Sequence, residues 1–294
     1  VVAGRTIVAM RRDPDPAPGA DPLEPPEAPV PPWRRGIRYW ATKAVVHVGV
    51  RCLVRLRVEG LELLPPGPSL LCANHQSWAD PIVALAALPG RPRLFFFGPK
   101  EEDMTAGGRN RLMLWTGTAV PFKPAKSDLR ETARRVAAVF DAGHRLLIFG
   151  EGRIHAREGE LLPLQDGAVW LATRSKVPIV PVAIVGTSWL GFGRTIRVRI
   201  GEPIATEGRG GRDGLEALTV ATWCALYRLS QGAPAKSPPG RLGRWLTEAF
   251  NDWPEGERPA ETPGAVGPAA RAGGTARGAE GGPVEGPHGP CPPA

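Results

Sequence analysis

Five short apolar runs, 69–73, 93–97, 145–149, 178–185 and 195–200, alternate beyond Gly60 with stretches of helical periodicity. Runs of five to eight residues rich in Leu, Ile, Val and Phe are too short for buried helices and read as strands. Between them Leu129, Ala133, Val136 and Phe140 recur at i, i+4, i+7 and i+11. They follow Asp128-Leu129-Arg130-Glu131, a capping-box pattern, and Gly143 closes the segment. Further helical patterns lie at about 81–88, 109–115, 166–175, 214–230 and 241–250. Strands separated by helices predict an α/β fold, a central mixed sheet flanked by helices.

The ends of the chain are built differently. Residues 13–32 hold 9 prolines among Asp, Glu and Ala, and residues 254–294 are mostly Gly, Pro, Ala and charge. Such compositions bury too little apolar surface to offset chain entropy, so 1–32 and 254–294 read as disordered. The folded domain is expected over 59–253, preceded by a helical segment at 33–58. Val1 to Arg12 place their basic residues behind the short apolar run rather than before it, so no secretory signal is expected. Cys52, Cys72, Cys224 and Cys291 are scattered, without Cys-x-x-Cys spacing or a nearby His cluster. That pattern predicts a reducing compartment and no metal site.

The net charge of +8 calls for an anionic partner, and its distribution narrows the choice. Between Trp33 and Gly60 seven Lys or Arg face one Glu, with Lys43, His47, Arg51 and Arg55 at four-residue spacing. Interleaved with Ile37, Trp40, Val45, Val48 and Leu53, they read as a basic amphipathic helix. Its longest stretch free of Lys and Arg, Ala44 to Val50, is far below the roughly 20 residues a span requires. The expected placement is in a membrane interface, with Trp33, Tyr39 and Trp40 at headgroup level. Basic residues gathered on one amphipathic helix, with no recognised nucleic-acid module, speak against a nucleic-acid partner.

Chemistry is concentrated in Asn74-His75-Gln76-Ser77-Trp78-Ala79-Asp80-Pro81, directly after the first apolar run. A carboxylate that accepts a hydrogen bond from one imidazole nitrogen fixes the tautomer, and the other nitrogen becomes a general base. Asp80 ahead of Pro81 also fits a helix cap, and a carboxylate has two oxygens with which to serve both ends. Phe149-Gly150-Glu151-Gly152-Arg153 follows another run and joins glycines, which admit close approach, to a guanidinium suited to phosphate. Lys123 and Lys126 are further candidate phosphate contacts. Because ligands of open α/β sheets collect beyond the carboxyl ends of strands, the segments after 73, 149 and 185 are expected to meet at one rim.

These segments together resemble the glycerolipid acyltransferases typified by 1-acylglycerol-3-phosphate acyltransferase, over about residues 60–205. Asn74 to Pro81 is similar to the family's Asn-His-x4-Asp block. Gly117 to Lys123 resembles its second block, Phe149 with Glu151, Gly152 and Arg153 its third, and Val177 to Val182 its fourth. Lys123 replaces the usual Arg, Gly150 the usual Pro and His155 the usual Ser or Thr, while Leu164-Gln165-Asp166-Gly167 stands where many members carry Phe-Lys-x-Gly. A Lys holds phosphate as a point charge without the fork of Arg.

The resemblance implies acyl transfer from acyl-CoA or acyl carrier protein, as donor substrate and without further cofactor, to a lysophospholipid hydroxyl. His75 would be the general base and Asp80 its partner. Lys123, Glu151, Gly152 and Arg153 would bind the acceptor's phosphate or glycerol. The protein would sit at the cytoplasmic face of a membrane, as a peripheral or monotopic enzyme of phospholipid biosynthesis. A different lipid acceptor, such as a lyso-amino-acid lipid or a remodelled lysophospholipid, and a non-catalytic lipid-binding protein are the alternatives.

Overall fold

In the computed structural model, which describes residues 32–100, 115–122, 129–155, 160–231, 239–251, 285–286 and 289–291, helices and strands alternate along the chain. The order is α1 (Pro32–Leu53), β1 (Arg55–Glu59), β2 (Ser69–Ala73), α2 (Asp80–Ala87), β3 (Leu94–Lys100), β4 (Ala119–Phe122), α3 (Leu129–Asp141) and β5 (Arg145–Phe149). There follow α4 (Asp166–Ser175), β6 (Ile179–Val185), β7 (Thr195–Ile200), α5 (Gly211–Ser230), α6 (Arg241–Phe250) and a ribbon of β8 (Glu285–Gly286) and β9 (Gly289–Pro290).

One seven-stranded sheet has the order β1-β7-β6-β2-β5-β3-β4. It is mixed: β6 and β7 pair antiparallel, and every other neighbouring pair is parallel. Alternation of side chains along each strand feeds two cores. Leu70 and Cys72 of β2, Leu146 and Ile148 of β5, and Ile179 of β6 pack with α3, α4 and α5. Leu71, Ala73, Leu147, Val180 and Val182 pack on the other face with Tyr39 of α1 and Val83 to Leu88 around α2. Helices thus cover both faces, as the alternation of the sequence requires. β2, β5 and β6, parallel and adjacent, end at the same edge, and their following loops converge there.

Several expectations are revised. The helix expected over 33–58 stops at Leu53, and Arg55–Glu59 forms β1, whose alternating exposure is that of an edge strand paired with β7. Ala119–Phe122, not among the expected strands, is strand β4 beside β3. Cys224 and Cys291, expected as separate thiols, form a disulfide across 67 residues; the β8–β9 ribbon packs on α5, a proximity that chain distance hides. Cys52 and Cys72 are free thiols. The helix expected at 109–115 falls almost wholly outside the described residues, as do residues 1–31 and most of 254–294.

α1 turns part of its basic stripe to the domain. Lys43 Nζ donates to the carbonyls of Leu85 and Leu88, at 2.8 and 2.7 Å, and His47 Nδ1 to that of Ala86 at 3.0 Å. Carbonyls at a helix C-terminus lack intrahelical donors and attract cations, so Lys43 and His47 cap α2, while Arg51 and Arg55 of the same stripe stay exposed. Burial pulls the pKa of Lys43 down. Tyr39, expected at headgroup level, is buried, and its hydroxyl accepts from Leu94 N and donates to the Gly90 carbonyl. Beside the exposed Arg34, His47 and Arg51, α1 presents an apolar stripe of Trp33, Ile37, Val45, Val48 and Leu53, with Val45 72% exposed.

Candidate active site

At the carboxyl edge of the sheet, the chain leaves β2 through Asn74, whose amide exchanges two hydrogen bonds with the backbone of Ile184. Nδ2 donates to its carbonyl (2.9 Å) and Oδ1 accepts from its N–H (2.7 Å). The side chain therefore extends the pairing of β2 with β6 by one rung where the strands would otherwise part. His75 follows, and its backbone is held on both sides. Its N–H donates to Glu151 Oε1 (2.9 Å), and its carbonyl accepts from His155 N (2.7 Å). The ring stacks on Phe149, centroids 3.8 Å apart and planes 13° apart. Backbone, ring face and ring nitrogen are each constrained by a different segment.

Asp80 is fully buried and opens α2, but its carboxylate turns back into the preceding loop instead of capping the helix. Oδ2 accepts from His75 Nδ1 (2.9 Å), Gln76 N (2.7 Å) and Ser77 N (2.8 Å), and Oδ1 accepts from Thr187 Oγ1 (2.5 Å). Four donors thus converge on one buried carboxylate. His75 Nδ1 must carry the proton to make its bond, so Nε2 is the basic nitrogen. His75 lines a cavity of about 970 Å³ walled largely by Trp78, Phe96, Phe97, Phe122, Phe149 and Trp170. A base that opens into an apolar cavity is placed to deprotonate a group delivered by an apolar ligand.

The structure brings the expected residues to one edge in different roles. Glu151 is buried with both oxygens engaged by backbone, Oε1 with His75 N and Oε2 with Leu162 N (3.1 Å). Burial pushes its carboxyl up to about 8, against the opposing pull of those two N–H groups. It holds the catalytic loop, and what it offers a ligand is limited to the cavity wall. Gly152 has φ +69, a left-handed conformation that favours glycine, and its exposed neighbour Arg153 lines the cavity. Gly150 has a packing reason: a Cβ there would lie 2.8 Å from Cys72 Sγ and 2.8 Å from Leu164 Cδ2. Cys72, beneath it, is an inert thiol that burial pushes up to about 12. Lys123 and Lys126 fall outside the described residues, although β4 ends at Phe122, a cavity residue.

Two contributors carried no readable signal. Thr187, two residues past β6, is recognisable only once parallel pairing sets β6 beside β2. Asn251, following α6, accepts at Oδ1 from Ser77 Oγ (3.0 Å) and Trp78 N (2.7 Å), more than 170 positions away. Thr247 of the same helix accepts from Leu190 N through its hydroxyl (2.9 Å), so α6 ties the catalytic loop to the loop after β6.

Residues 55–185 match the family model described as Acyltransferase, a span that begins at β1 and includes His75, Asp80, Glu151 and Arg153. Over that span the chain is similar to the acyltransferase family. It is 30% identical over 177 residues to the bovine (Bos taurus) 1-acyl-sn-glycerol-3-phosphate acyltransferase alpha, covering 56% of this chain and 59% of that one. It is 28% identical over 204 residues to the 1-acyl-sn-glycerol-3-phosphate acyltransferase of Pseudomonas aeruginosa, covering 63% and 74%. The chain therefore spans about three-fifths of the bovine relative's length. The crystal structure of the 1-acyl-sn-glycerophosphate acyltransferase PlsC from Thermotoga maritima superposes with a TM-score of 0.54. That match covers 69% of this chain and 85% of that one, and at 21% identity it is a likeness of fold. Within the matched segment, the Asn-His-x4-Asp block is the turn that seats His75 on Asp80, and α6 lies outside that segment.

Proposed function

We propose that the protein transfers a fatty acyl group from a thioester, acyl-CoA or acyl carrier protein, to the free hydroxyl of lysophosphatidate or a related lysophospholipid. The observation that carries this reading is the His75–Asp80 pair opening into a large apolar cavity. His75 Nε2 takes the hydroxyl proton as the substrate oxygen attacks the thioester carbon, and the new C–O bond forms. Asp80 stabilises the imidazolium. As the tetrahedral intermediate collapses, the C–S bond breaks and the imidazolium returns its proton to the departing thiolate. The nucleophile belongs to the acceptor, so no acyl-enzyme is formed.

The aromatic walls suit an acyl chain, and Arg153 at the cavity supplies a fork for the acceptor's phosphate; Lys123, the next residue in sequence after β4, is the second proposed phosphate contact. A second acceptor class, a lyso-amino-acid lipid or remodelled lysophospholipid, is favoured by Gln165, which lines the cavity where many family members carry Lys. Among the described residues no helix is long and apolar enough to cross a membrane. The outward apolar face of α1 supports a protein lying on the membrane surface, at its cytoplasmic face, with membrane lipid as acceptor. The test is mass spectrometry of lipids after incubation with lysophosphatidate and alternative acceptors, each with both donors. A diacyl product that His75→Ala does not form is the expected outcome, and no acylated product with any acceptor would refute the reading.

A further inference from the structure

The amino edge of the sheet, opposite His75, carries a second cavity of about 540 Å³. It lies where Pro66, Arg91 to Arg93 and Ala142 to His144 lead into β2, β3 and β5, against Trp40 of α1. Its walls hold Arg91, Arg93 and His144 and no carboxylate. Arg91 lies over the ring of Trp40 and Arg93 over that of Tyr39, with guanidinium carbons 5.7 and 5.5 Å from the centroids.

Arg145, the next residue after His144, is 4% exposed. Nη2 donates to the Pro65 carbonyl (2.6 Å), but Nε and Nη1 have no hydrogen-bond partner, and neither has the buried Ser69 Oγ beside them in register. Among the described residues no carboxylate pairs with Arg91, Arg93 or Arg145. A buried cation is ordinarily paired, because desolvating it alone costs several kcal/mol. Buried polar groups left unmet in a folded protein mark a missing water or ion. Burial lowers the pKa of Arg145, and burial together with Arg93 lowers that of His144, the signs expected of positive groups crowded without an anion.

We infer that this cleft binds the phosphate of an anionic membrane phospholipid, at a site separate from the one that acylates. The position selects lipid over soluble phosphate. Trp40, on the cleft wall, is partly exposed on α1 beside the outward Trp33, Ile37, Val45 and Val48, so a phosphate held by Arg91 and Arg93 would have its acyl chains along that apolar stripe. The inference rests on the membrane-surface reading of α1 and is independent of the chemistry at His75.

The test is binding of the full chain to vesicles of phosphatidylcholine alone and of phosphatidylcholine mixed equally with phosphatidylglycerol, by co-sedimentation. Wild type should prefer the mixed vesicles. Arg91→Ala with Arg93→Ala should weaken that binding about 30-fold, from roughly tenfold or less for each basic residue. The charge-matched control Arg209→Ala with Arg212→Ala, both exposed and neither lining the cleft, should lose only a few-fold. Should the double variant unfold, the single variants Arg91→Ala and Arg93→Ala serve instead, and each should lose roughly fivefold of the binding to mixed vesicles. Equal losses in cleft and control variants would overturn the inference, as would an absence of preference in wild type. So would stabilisation by inorganic phosphate that Arg91→Ala with Arg93→Ala abolishes, with no vesicle preference, since that outcome assigns the cleft to a soluble ligand. Acyl transfer, lost in His75→Ala, is read separately and does not bear on these outcomes.

Discussion

Replacing Asp80 by Asn separates the charge of the site from its geometry. The carboxylate receives three N–H donors on Oδ2 and the Thr187 hydroxyl on Oδ1. An Asn carbonyl oxygen in the place of Oδ2 keeps all three donors, while its NH2 group donates to Thr187 Oγ1, which accepts as readily as it donates. The loop, the His75 tautomer and the fold should survive, with a melting temperature within a few degrees of wild type. What disappears is the charge facing the imidazolium. At the observed 2.9 Å, two unit charges in an effective dielectric of about 20 attract by about 6 kcal/mol. The remaining amide dipole recovers part of this, so about 4–5 kcal/mol of transition-state stabilisation should be lost, about a 10³-fold to 10⁴-fold fall in kcat. KM should change little, because Asp80 is fully buried behind His75. The assay is single-turnover formation of diacyl product followed by mass spectrometry, beside a thermal melt. A folded Asp80→Asn variant that retains more than a tenth of wild-type kcat would refute the assignment of Asp80 as the imidazolium's counter-charge.

Glu151, with its carboxyl raised to about 8, gives a pH signature. The folded state holds this proton more tightly than the unfolded state, so the group's contribution to stability is full below the ordinary carboxyl pKa and is lost as pH rises through about 8. Wild type should melt at progressively lower temperature across that window, and Glu151→Gln should show a flatter profile in the same melts. Gly150→Ala should destabilise by roughly 1–3 kcal/mol in denaturant unfolding, because its Cβ meets both Cys72 Sγ and Leu164 Cδ2, and Cys72→Ala in the same chain should restore only part of the loss. Asn251→Ala should lower kcat about tenfold with KM nearly unchanged, since it frees Ser77 and Trp78 from α6 while leaving the cavity walls in place. An unchanged kcat in a folded Asn251→Ala protein would make that helix irrelevant to the loop.

Much of this site was legible because its chemistry lies at the ends of strands that announce themselves. Ser69–Ala73, Arg145–Phe149 and Thr195–Ile200 form strands over the runs read from sequence, and His75 and Glu151 follow two of them. The pairing of His75 with Asp80 was readable because five residues of turn suffice to bring the two together. The role of Glu151 was not: a carboxylate between glycines near a guanidinium looks like a ligand group, and only the fold shows its oxygens occupied by His75 N and Leu162 N. Thr187 and Asn251 act across more than 100 positions through pairings that no local pattern encodes. The docking of Lys43 and His47 on α2 has a similar cause. A stripe of Lys43, His47 and Arg51 looks solvated until the unpaired carbonyls at the end of α2 are placed opposite Lys43 and His47. The strand at Arg55–Glu59 was concealed because its arginines continued that stripe, although its exposure alternates with period two.

The central claim is that His75 is the base for acyl transfer to a lipid hydroxyl, and quantitative lipid mass spectrometry of wild type beside His75→Ala tests it most directly. With lysophosphatidate and acyl-CoA or acyl carrier protein, wild type is predicted to form the diacyl phosphate, and a folded His75→Ala variant to form it at least 10²-fold more slowly. Equal rates in the two proteins would contradict the account.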